Sequence, residues 1–373
     1  MNGSLKFLGI LSLALIALII LSLPTTMVQA EQKKITVAAD LGHGESKKYL
    51  DYIIGNTSDF INWKVINETI TPEVLADVDV FIIGQPTASF SSDEMQAIYD
   101  WLNQGGKVLW IAGDSDYGSG SEVQAIVNDL LDFLGAKLRL EMGAVYDDVH
   151  NAQRFYRVLG YVNPDDIPEL NTAMIAEGVT KPLLFHGPTV VIWVDENGEY
   201  HDPVNETFDG LIRIVWNYDT ARIADNNPPP LLYYDPTIDT NRTFVMLAAE
   251  VYGDSLIVVS GESPYGDYEP TWASSYYGVE LDGPRFVTNM LRWFSWFVHT
   301  KAQATTTPTT TTPSPTTTPS PTTTSPTETS PTETSPSETT PTATTPKGVG
   351  TTTIALIIIV LIIVAVVVFI IRR

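Results

Sequence analysis

The sequence of 373 residues contains no cysteine. This absence excludes disulfide bonds, a thiolate nucleophile and zinc sites built on cysteine. Basic residues are also scarce: 21 Lys and Arg stand against 44 Asp and Glu, giving a net charge of −23. A nucleic-acid partner would need a basic face, so this charge argues against one. The histidines include no pair at metal-ligand spacing, and no Walker A or GxGxxG motif follows a predicted strand.

Both ends of the chain carry long apolar segments. Residues 1–30 combine an apolar run with small residues before Glu31, which predicts a secretory signal peptide; an uncleaved anchor is the alternative. Residues 351–371 end in an apolar stretch long enough to cross a bilayer, which predicts a transmembrane helix. The two arginines at 372–373 predict that the tail is cytoplasmic and that the rest lies outside.

The segment 301–350 is rich in threonine, proline and serine. It has no apolar face to bury, so we expect a disordered, extended stalk, either O-glycosylated or bare. Together these features predict a single-pass protein of the cell membrane with an extracellular N-terminal domain and a short cytoplasmic C-terminus. The working part is then the domain at 31–300.

Within this domain, apolar runs alternate with segments of helical spacing. The runs at 34–40, 78–84 and 107–113 read as strands, and Ser91 with Glu94 forms a capping box at the start of a helix. The pattern predicts an α/β fold: a doubly wound, mostly parallel sheet with helices on both faces. Residues 136–239 are less regular and predict an insertion. A hairpin is expected near residues 243–260.

Ligands of open parallel sheets bind beyond the carboxyl ends of the strands. Polar side chains that follow the predicted strands are therefore the candidates for ligand binding: Asp40, His43, Gln85, Asp114, Ser115 and Glu262.

Three interpretations of these residues stay open. The first is a hydrolase with Ser115 as nucleophile and His43 as base, assisted by Asp114 and Glu262. The second is a site for a divalent cation such as calcium, built from carboxylates such as Asp40, Asp114 and Asp116. In the third, the carboxylates cap helices and tie loops. No other cofactor is expected.

Four Asn-x-Ser/Thr sequons suit an exposed glycoprotein and should all lie on the surface: Asn56, Asn67, Asn205 and Asn241.

Short motifs recur in an order typical of a known family. They are the loop with Asp40, His43 and Gly44, then Gly84-Gln85-Pro86, Gln104-Gly105-Gly106-Lys107, Gly253-Asp254-Ser255 and Ser260-Gly261-Glu262-Ser263. In this order the chain resembles class I glutamine-amidotransferase-like, flavodoxin-like domains. It is most similar to an extracytoplasmic branch found in prokaryotic surface proteins and in accessory proteins of gliding-motility and ABC-transport systems.

The resemblance implies a flavodoxin-like fold and a non-catalytic role. Amidotransferases of this class use a cysteine at a turn near which this chain has Asp114 and Ser115, so that activity is not carried over. We expect a membrane-anchored surface protein whose stalked domain binds a ligand, such as a carbohydrate or small molecule, or an envelope or ABC-transport partner. An extracellular hydrolase of glycans or peptides and a structural envelope component are the alternatives.

Overall fold

The computed structural model describes residues 33–227, 231–266 and 270–306. Its α-helices are α1 (Leu50–Thr57), α2 (Pro72–Leu75), α3 (Ser92–Leu102), α4 (Gly120–Leu134) and α5 (Gly283–Thr306). Two 3₁₀ turns lie at Pro168–Leu170 and Thr172–Ala176. The last helix therefore continues six residues past the boundary predicted at residue 300.

The strands of the described residues are numbered in chain order. They are β1 (Ile35–Asp40), β2 (Ile61–Ile66), β3 (Val80–Ile83), β4 (Val108–Ala112), β5 (Leu138–Leu140), β6 (Ala144–Asp147), β7 (Arg157–Val162), β8 (Leu183–His186), β9 (Val191–Val194), β10 (Tyr200–His201), β11 (Leu211–Asn217), β12 (Ala221–Ala224), β13 (Thr240–Arg242), β14 (Val245–Tyr252), β15 (Ser255–Ser260), β16 (Ser275–Tyr276) and β17 (Val279–Glu280).

Nine of these strands form one sheet in the order β2-β1-β3-β4-β15-β14-β11-β7-β8. The pairings from β2 to β15 are parallel, and those from β15 to β8 are antiparallel. We call the first five strands of this order the parallel part and the last four the antiparallel part. Two three-stranded sheets, β10-β9-β5 and β13-β12-β6, lie outside the large sheet.

Helices cover both faces of the parallel part, which explains why β3 and β4 are buried along their whole length. Val108 and Trp110 belong to the same apolar cluster as α1 and α5, and the ring of Trp110 meets that of Phe294 edge to face at 5.9 Å. Leu109 and Ile111 belong to the cluster of α3 and α4. The side chains alternate between faces because a strand has a period of two residues.

Several local predictions are confirmed. The Ser91 Oγ accepts a hydrogen bond from the Glu94 amide at 3.3 Å, while the Glu94 carboxylate accepts from the Ser91 amide at 2.9 Å, which completes the capping box. Helix α4 ends at Gly135, whose φ of 69° is the left-handed conformation that glycine adopts without strain. Strands β14 and β15 form the expected hairpin.

The predicted fold class is wrong for the sheet as a whole. A doubly wound, mostly parallel sheet was expected, but half of the pairings in the nine-stranded sheet are antiparallel. The physical reason lies in strands such as β14, whose first six residues are all buried. A strand covered on both faces reads as one continuous apolar run in either direction, so its sequence does not reveal its orientation.

The predicted location also needs correction. Within the described residues, no helix combines the length and apolar character needed to cross a bilayer, and the expected single-pass location is therefore not retained. The predicted signal peptide at 1–30, transmembrane helix at 351–371 and tail at 372–373 lie outside the described residues, as does the predicted disordered stalk beyond residue 306.

Candidate functional site

Four neighbouring strands of the parallel part end at one edge of the sheet. β1, β3, β4 and β15 run in the same direction, so the loops that follow Asp40, Ile83, Ala112 and Ser260 leave from that edge. A cavity of about 850 Å³ lies against these loops. Cavities of roughly 300–1,000 Å³ are typical of small-molecule sites.

Gln85 and Glu262 line this cavity and are joined by a hydrogen bond. The Gln85 Nε2 donates to the Glu262 Oε1 at 3.1 Å and to the Gly113 carbonyl at 3.0 Å. The Glu262 carboxylate also accepts from the backbone amides of Ser263 at 2.8 Å and His186 at 2.9 Å. Glu262 thereby connects the loop after β15 to the end of β8, in the antiparallel part.

Asp114 and Ser115 line the same cavity from the loop after β4. The Ser115 amide donates to the Asp114 Oδ1 at 2.7 Å and to the Gly187 carbonyl at 2.8 Å. The loop then folds back onto the start of α4. A Cβ atom at Gly120 would lie 1.7 Å from the Ser115 carbonyl oxygen, so this approach requires glycine.

Asp40 and His43 are buried outside the cavity lining. The His43 Nδ1 lies 2.6 Å from the Asp40 Oδ2, and its Nε2 lies 3.3 Å from the Glu94 Oε1. Burial alone would lower the pKa of His43, but the hydrogen bond and charge of Asp40, together with the charge of Glu94, raise it. The imidazole is thus held between two carboxylates, next in the chain to Gly44, which lines the cavity.

Glu45 is a buried carboxyl group that sequence reasoning did not single out. Its side chain is 9 % exposed, and neither carboxyl oxygen has a hydrogen-bond partner that meets ordinary geometry. Burial and, second, the negative charge of Asp40 raise the pKa of Glu45 to about 9. Glu45 is therefore a neutral acid at pH 7, next to two residues that line the cavity, Gly44 and Ser46.

The contacts of His43 do not join it to Ser115. Both ring nitrogens lie against carboxylates, and the ring packs on Phe90 with centroids 4.1 Å apart. The Ser115 Oγ instead accepts from the Tyr117 amide at 3.4 Å. A serine nucleophile needs a base within hydrogen-bond reach, so the hydrolase remains a prediction without a supporting contact.

The carboxylates considered for a cation are engaged separately. Asp116 is fully buried and accepts hydrogen bonds from the Asn226 Nδ2 at 2.7 Å and the Asn227 amide at 2.9 Å. Asp40 is bonded to His43, and Asp114 to the Ser115 amide. Across residues 33–227, 231–266 and 270–306, no three His, Asp or Glu side chains are grouped so that they could hold a metal ion.

Part of the cavity wall comes from the segment that was predicted as an irregular insertion. It supplies Tyr146, Phe155, Tyr156, His186 and Asn226. His186 ends β8 and lines the cavity. The polar and aromatic residues of this segment carried no motif. The one signal in the sequence was a histidine at the end of a predicted strand. The sequence did not show at which edge of the sheet that strand ends.

The four sequon asparagines are exposed: Asn56, Asn67, Asn205 and Asn241. Their glycosylation stays a prediction.

No protein-family model and no curated protein sequence matches the chain significantly. Solved structures do match. The N-terminal domain of mmIFT52 aligns with a TM-score of 0.46 at 12 % identity, covering 70 % of this chain and 97 % of that one.

Two further neighbours have glutamine-amidotransferase-like folds. A ThuA-like protein from Bacteroides uniformis aligns with a TM-score of 0.39 at 11 % identity, covering 73 % of this chain and 94 % of the other. A GMP synthase protein from Thermoplasma acidophilum aligns with a TM-score of 0.35 at 9 % identity, covering 73 % and 98 %. Likenesses this distant assign no activity to the chain.

Proposed function

We propose that this protein binds a small polar molecule in the cavity at the carboxyl edge of the parallel part, without transforming it. The cavity itself carries the proposal: its volume of about 850 Å³ suits a small ligand, and its wall combines a few convergent polar groups with aromatic rings. Gln85 and Glu262 supply polar atoms held by neighbouring groups, while Tyr117 and Phe155 supply apolar surface.

The polar groups are fixed before any ligand arrives. Three N–H donors hold the Glu262 carboxylate, and two acceptors hold the amide of Gln85. Groups that are already oriented lose little conformational entropy on binding, which favours affinity. A non-catalytic role is supported by the separation of His43 from Ser115, because neither is placed to activate the other.

Blocking the cavity tests this proposal. Ser119 is exposed, lines the cavity and makes no side-chain capping bond, so Ser119→Trp places a large ring in the space without breaking a described contact. Ser92, an exposed residue at the start of α3, provides the matched control Ser92→Trp.

The measurement is ligand-observed NMR of the full-length chain against a mixed set of small amines, alcohols, sugars and carboxylic acids. We expect the wild-type protein and Ser92→Trp to bind the same members of the set, and Ser119→Trp to lose them at least tenfold in affinity. Equal binding by all three proteins would refute the proposal, since the ligands would then lie elsewhere.

The finer family assignment, to the branch of transport and motility accessory proteins, is also a proposal. It is supported by the order of short motifs such as Gly84-Gln85-Pro86 and Ser260-Gly261-Glu262-Ser263. Purification of the full-length protein with associated components of a transport complex would support it, and consistent isolation of the chain alone would count against it.

A further inference from the structure

The side-chain amide of Gln85 can only accept a hydrogen bond from a ligand. Its Nε2 faces two groups that cannot donate, the Gly113 carbonyl and the Glu262 carboxylate, so the orientation of the amide is set by its neighbours. Both N–H bonds are thereby used. The remaining polar atom of Gln85 is its Oε1, which is an acceptor.

A second acceptor is created by a chain of three residues. The Asp116 carboxylate is buried and can only accept, so the Asn226 Nδ2, at 2.7 Å, must face it. This orientation turns the Asn226 Oδ1 to the Tyr146 hydroxyl, which donates to it at 2.8 Å. A phenol has one proton, so the hydroxyl oxygen of Tyr146, a residue that lines the cavity, is left as an acceptor.

The charged groups of the wall are acceptors too. Asp114 and Glu262 line the cavity, and among its described lining residues there is no Lys or Arg, while the imidazole of His186 can donate or accept according to its tautomer. Serine, threonine and tyrosine hydroxyls that are not fixed can donate or accept, so they do not select between ligands. Four side chains can therefore only accept hydrogen bonds from a ligand: Gln85, Asp114, Tyr146 and Glu262.

The N-terminus of α4 does not turn the cavity into an anion site. A helix N-terminus favours anions through its free N–H groups. Here the Gly120 amide donates to the Tyr117 carbonyl at 3.1 Å, and the Glu122 and Val123 amides donate to the Ser119 carbonyl at 3.0 and 3.4 Å. These donors are occupied within the chain, and an anion would also meet Asp114.

From this arrangement we propose that the ligand is an organic cation, whose ammonium or guanidinium group donates to the acceptor set and whose apolar part packs on the aromatic wall. This inference rests on the proposed function and specifies its ligand class. A neutral polyol also offers donors, but it brings no positive charge to the carboxylates of Asp114 and Glu262. A cation supplies donors and charge together, and charge-assisted hydrogen bonds are stronger than neutral ones.

Three probes on one ring scaffold separate charge from shape: benzylamine, benzyl alcohol and benzoate. Their binding to the full-length chain is measured by ligand-observed NMR at pH 7, with glucosamine and glucose as a second matched pair. We expect benzylamine to bind about tenfold more tightly than benzyl alcohol, because tenfold is about 1.4 kcal/mol and a hydrogen bond to a charged group contributes about that much or more. Benzoate should bind most weakly.

Three variants test which residues produce the preference for the amine, and a fourth serves as their control. Asp114→Asn and Glu262→Gln should each reduce the preference for benzylamine over benzyl alcohol at least threefold, whereas Asp129→Asn, which removes an exposed carboxylate from α4, should leave it unchanged. Tyr146→Phe keeps the ring and removes the acceptor, so it should weaken benzylamine more than benzyl alcohol. Circular dichroism and thermal unfolding check that each variant is folded.

The outcomes separate the two proposals. If benzyl alcohol or glucose binds as well as its amine partner, and Ser119→Trp abolishes that binding, the cavity binds ligands but the cation assignment is wrong. If benzylamine fails to bind while other members of the mixed set bind in the cavity, the assignment is likewise wrong. If binding of every probe survives Ser119→Trp, both proposals fail.

Discussion

Two buried glutamates, Glu45 in the parallel part and Glu141 ahead of the antiparallel part, differ in the hydrogen bonds that hold them. In the parallel part, Glu45 lies buried without a hydrogen-bond partner that meets ordinary geometry, and it stays neutral. In the chain that leads into the antiparallel part, the buried Glu141 accepts hydrogen bonds from the backbone amides of Met142, Leu232, Tyr233 and Tyr234. Glu45 is the exception within the parallel part, since Glu94 and Glu262 accept hydrogen bonds from backbone amides. Glu141, in contrast, anchors two loops through the backbone amides that donate to its carboxylate.

The difference follows from how the strands of each region are covered. Strands β3 and β4 are sandwiched between helices, and burial of their apolar side chains stabilises them by about 25 cal/mol per Å² of apolar surface removed from water. From β5 to β13 the described residues form no α-helix, and the backbone amides of the loops need partners once they are buried. Asp147 serves in the same way, accepting from the Val149 and His150 amides at 2.8 Å each.

The largest loss of stability is expected for Glu141→Ala, which removes the hydrogen bonds that distinguish Glu141 from Glu45. Four backbone amides, one of them fully buried, would lose their acceptor, and each unsatisfied donor costs about 1–3 kcal/mol unless water reaches it. We expect the free energy of unfolding in urea to fall by about 4 kcal/mol. Glu196→Ala, at an exposed position of the same segment, is the control. A loss of less than 1 kcal/mol would show that Glu141 does not anchor these loops.

A smaller effect, of opposite sign, is expected for Glu45→Gln. The unfolded chain releases the proton of Glu45 near pH 4.5, whereas the native state keeps it to about pH 9. Between these values the stability of the wild-type protein falls as the pH rises, by up to about 1.4 kcal/mol per pH unit. Glutamine has no proton to lose, so the variant should be more stable than the wild type by about 3 kcal/mol at pH 7.

Urea unfolding at pH 4.5 and pH 7 checks the Glu45 prediction. We expect the two proteins to differ little at pH 4.5, because Glu45 is protonated in the native state and half protonated in the unfolded chain, a difference of only about 0.4 kcal/mol. A stability difference that does not change with pH would mean that Glu45 is ionised in the native protein.

The smallest effect belongs to the capping box of the parallel part. Ser91→Ala removes the acceptor of the Glu94 amide and should lower the free energy of unfolding by about 1 kcal/mol, a typical value for an N-cap. Ser92→Ala, one position further and outside the box, should have less than half that effect. Equal losses for the two variants would indicate that helix propensity, and not the cap, determines stability here.

The sequence predicted the parallel part well because its signals are local. Continuous apolar runs marked β3 and β4, and the polar residues that follow strands proved to meet: Gln85, Asp114 and Glu262 line one cavity. Asp40 and His43 were assigned to the same set, but they are buried beside it. A residue that follows a parallel strand must lie at the carboxyl edge of the sheet. Its place in the sequence does not show whether its side chain reaches the cavity or is buried beside it.

The antiparallel part could not be predicted in the same way. Strand β11 pairs with β14 and β7, which lie far from it along the chain, and no local pattern encodes those partners or their direction. The orientation of the Tyr146 hydroxyl depends on Asn226, and that of Asn226 on Asp116. Such a chain of contacts becomes visible only once the fold brings the residues together.

The pairing of β4 with β15 has a consequence for the newly made chain. Residues 108–112 find their partner in residues 256–260, so the whole intervening stretch has to be synthesised before that side of β4 is covered. Until then, an apolar strand edge is open to any other chain that can add to it. A polypeptide stalled on the ribosome before β15 emerges is thus the species of this protein most prone to aggregate.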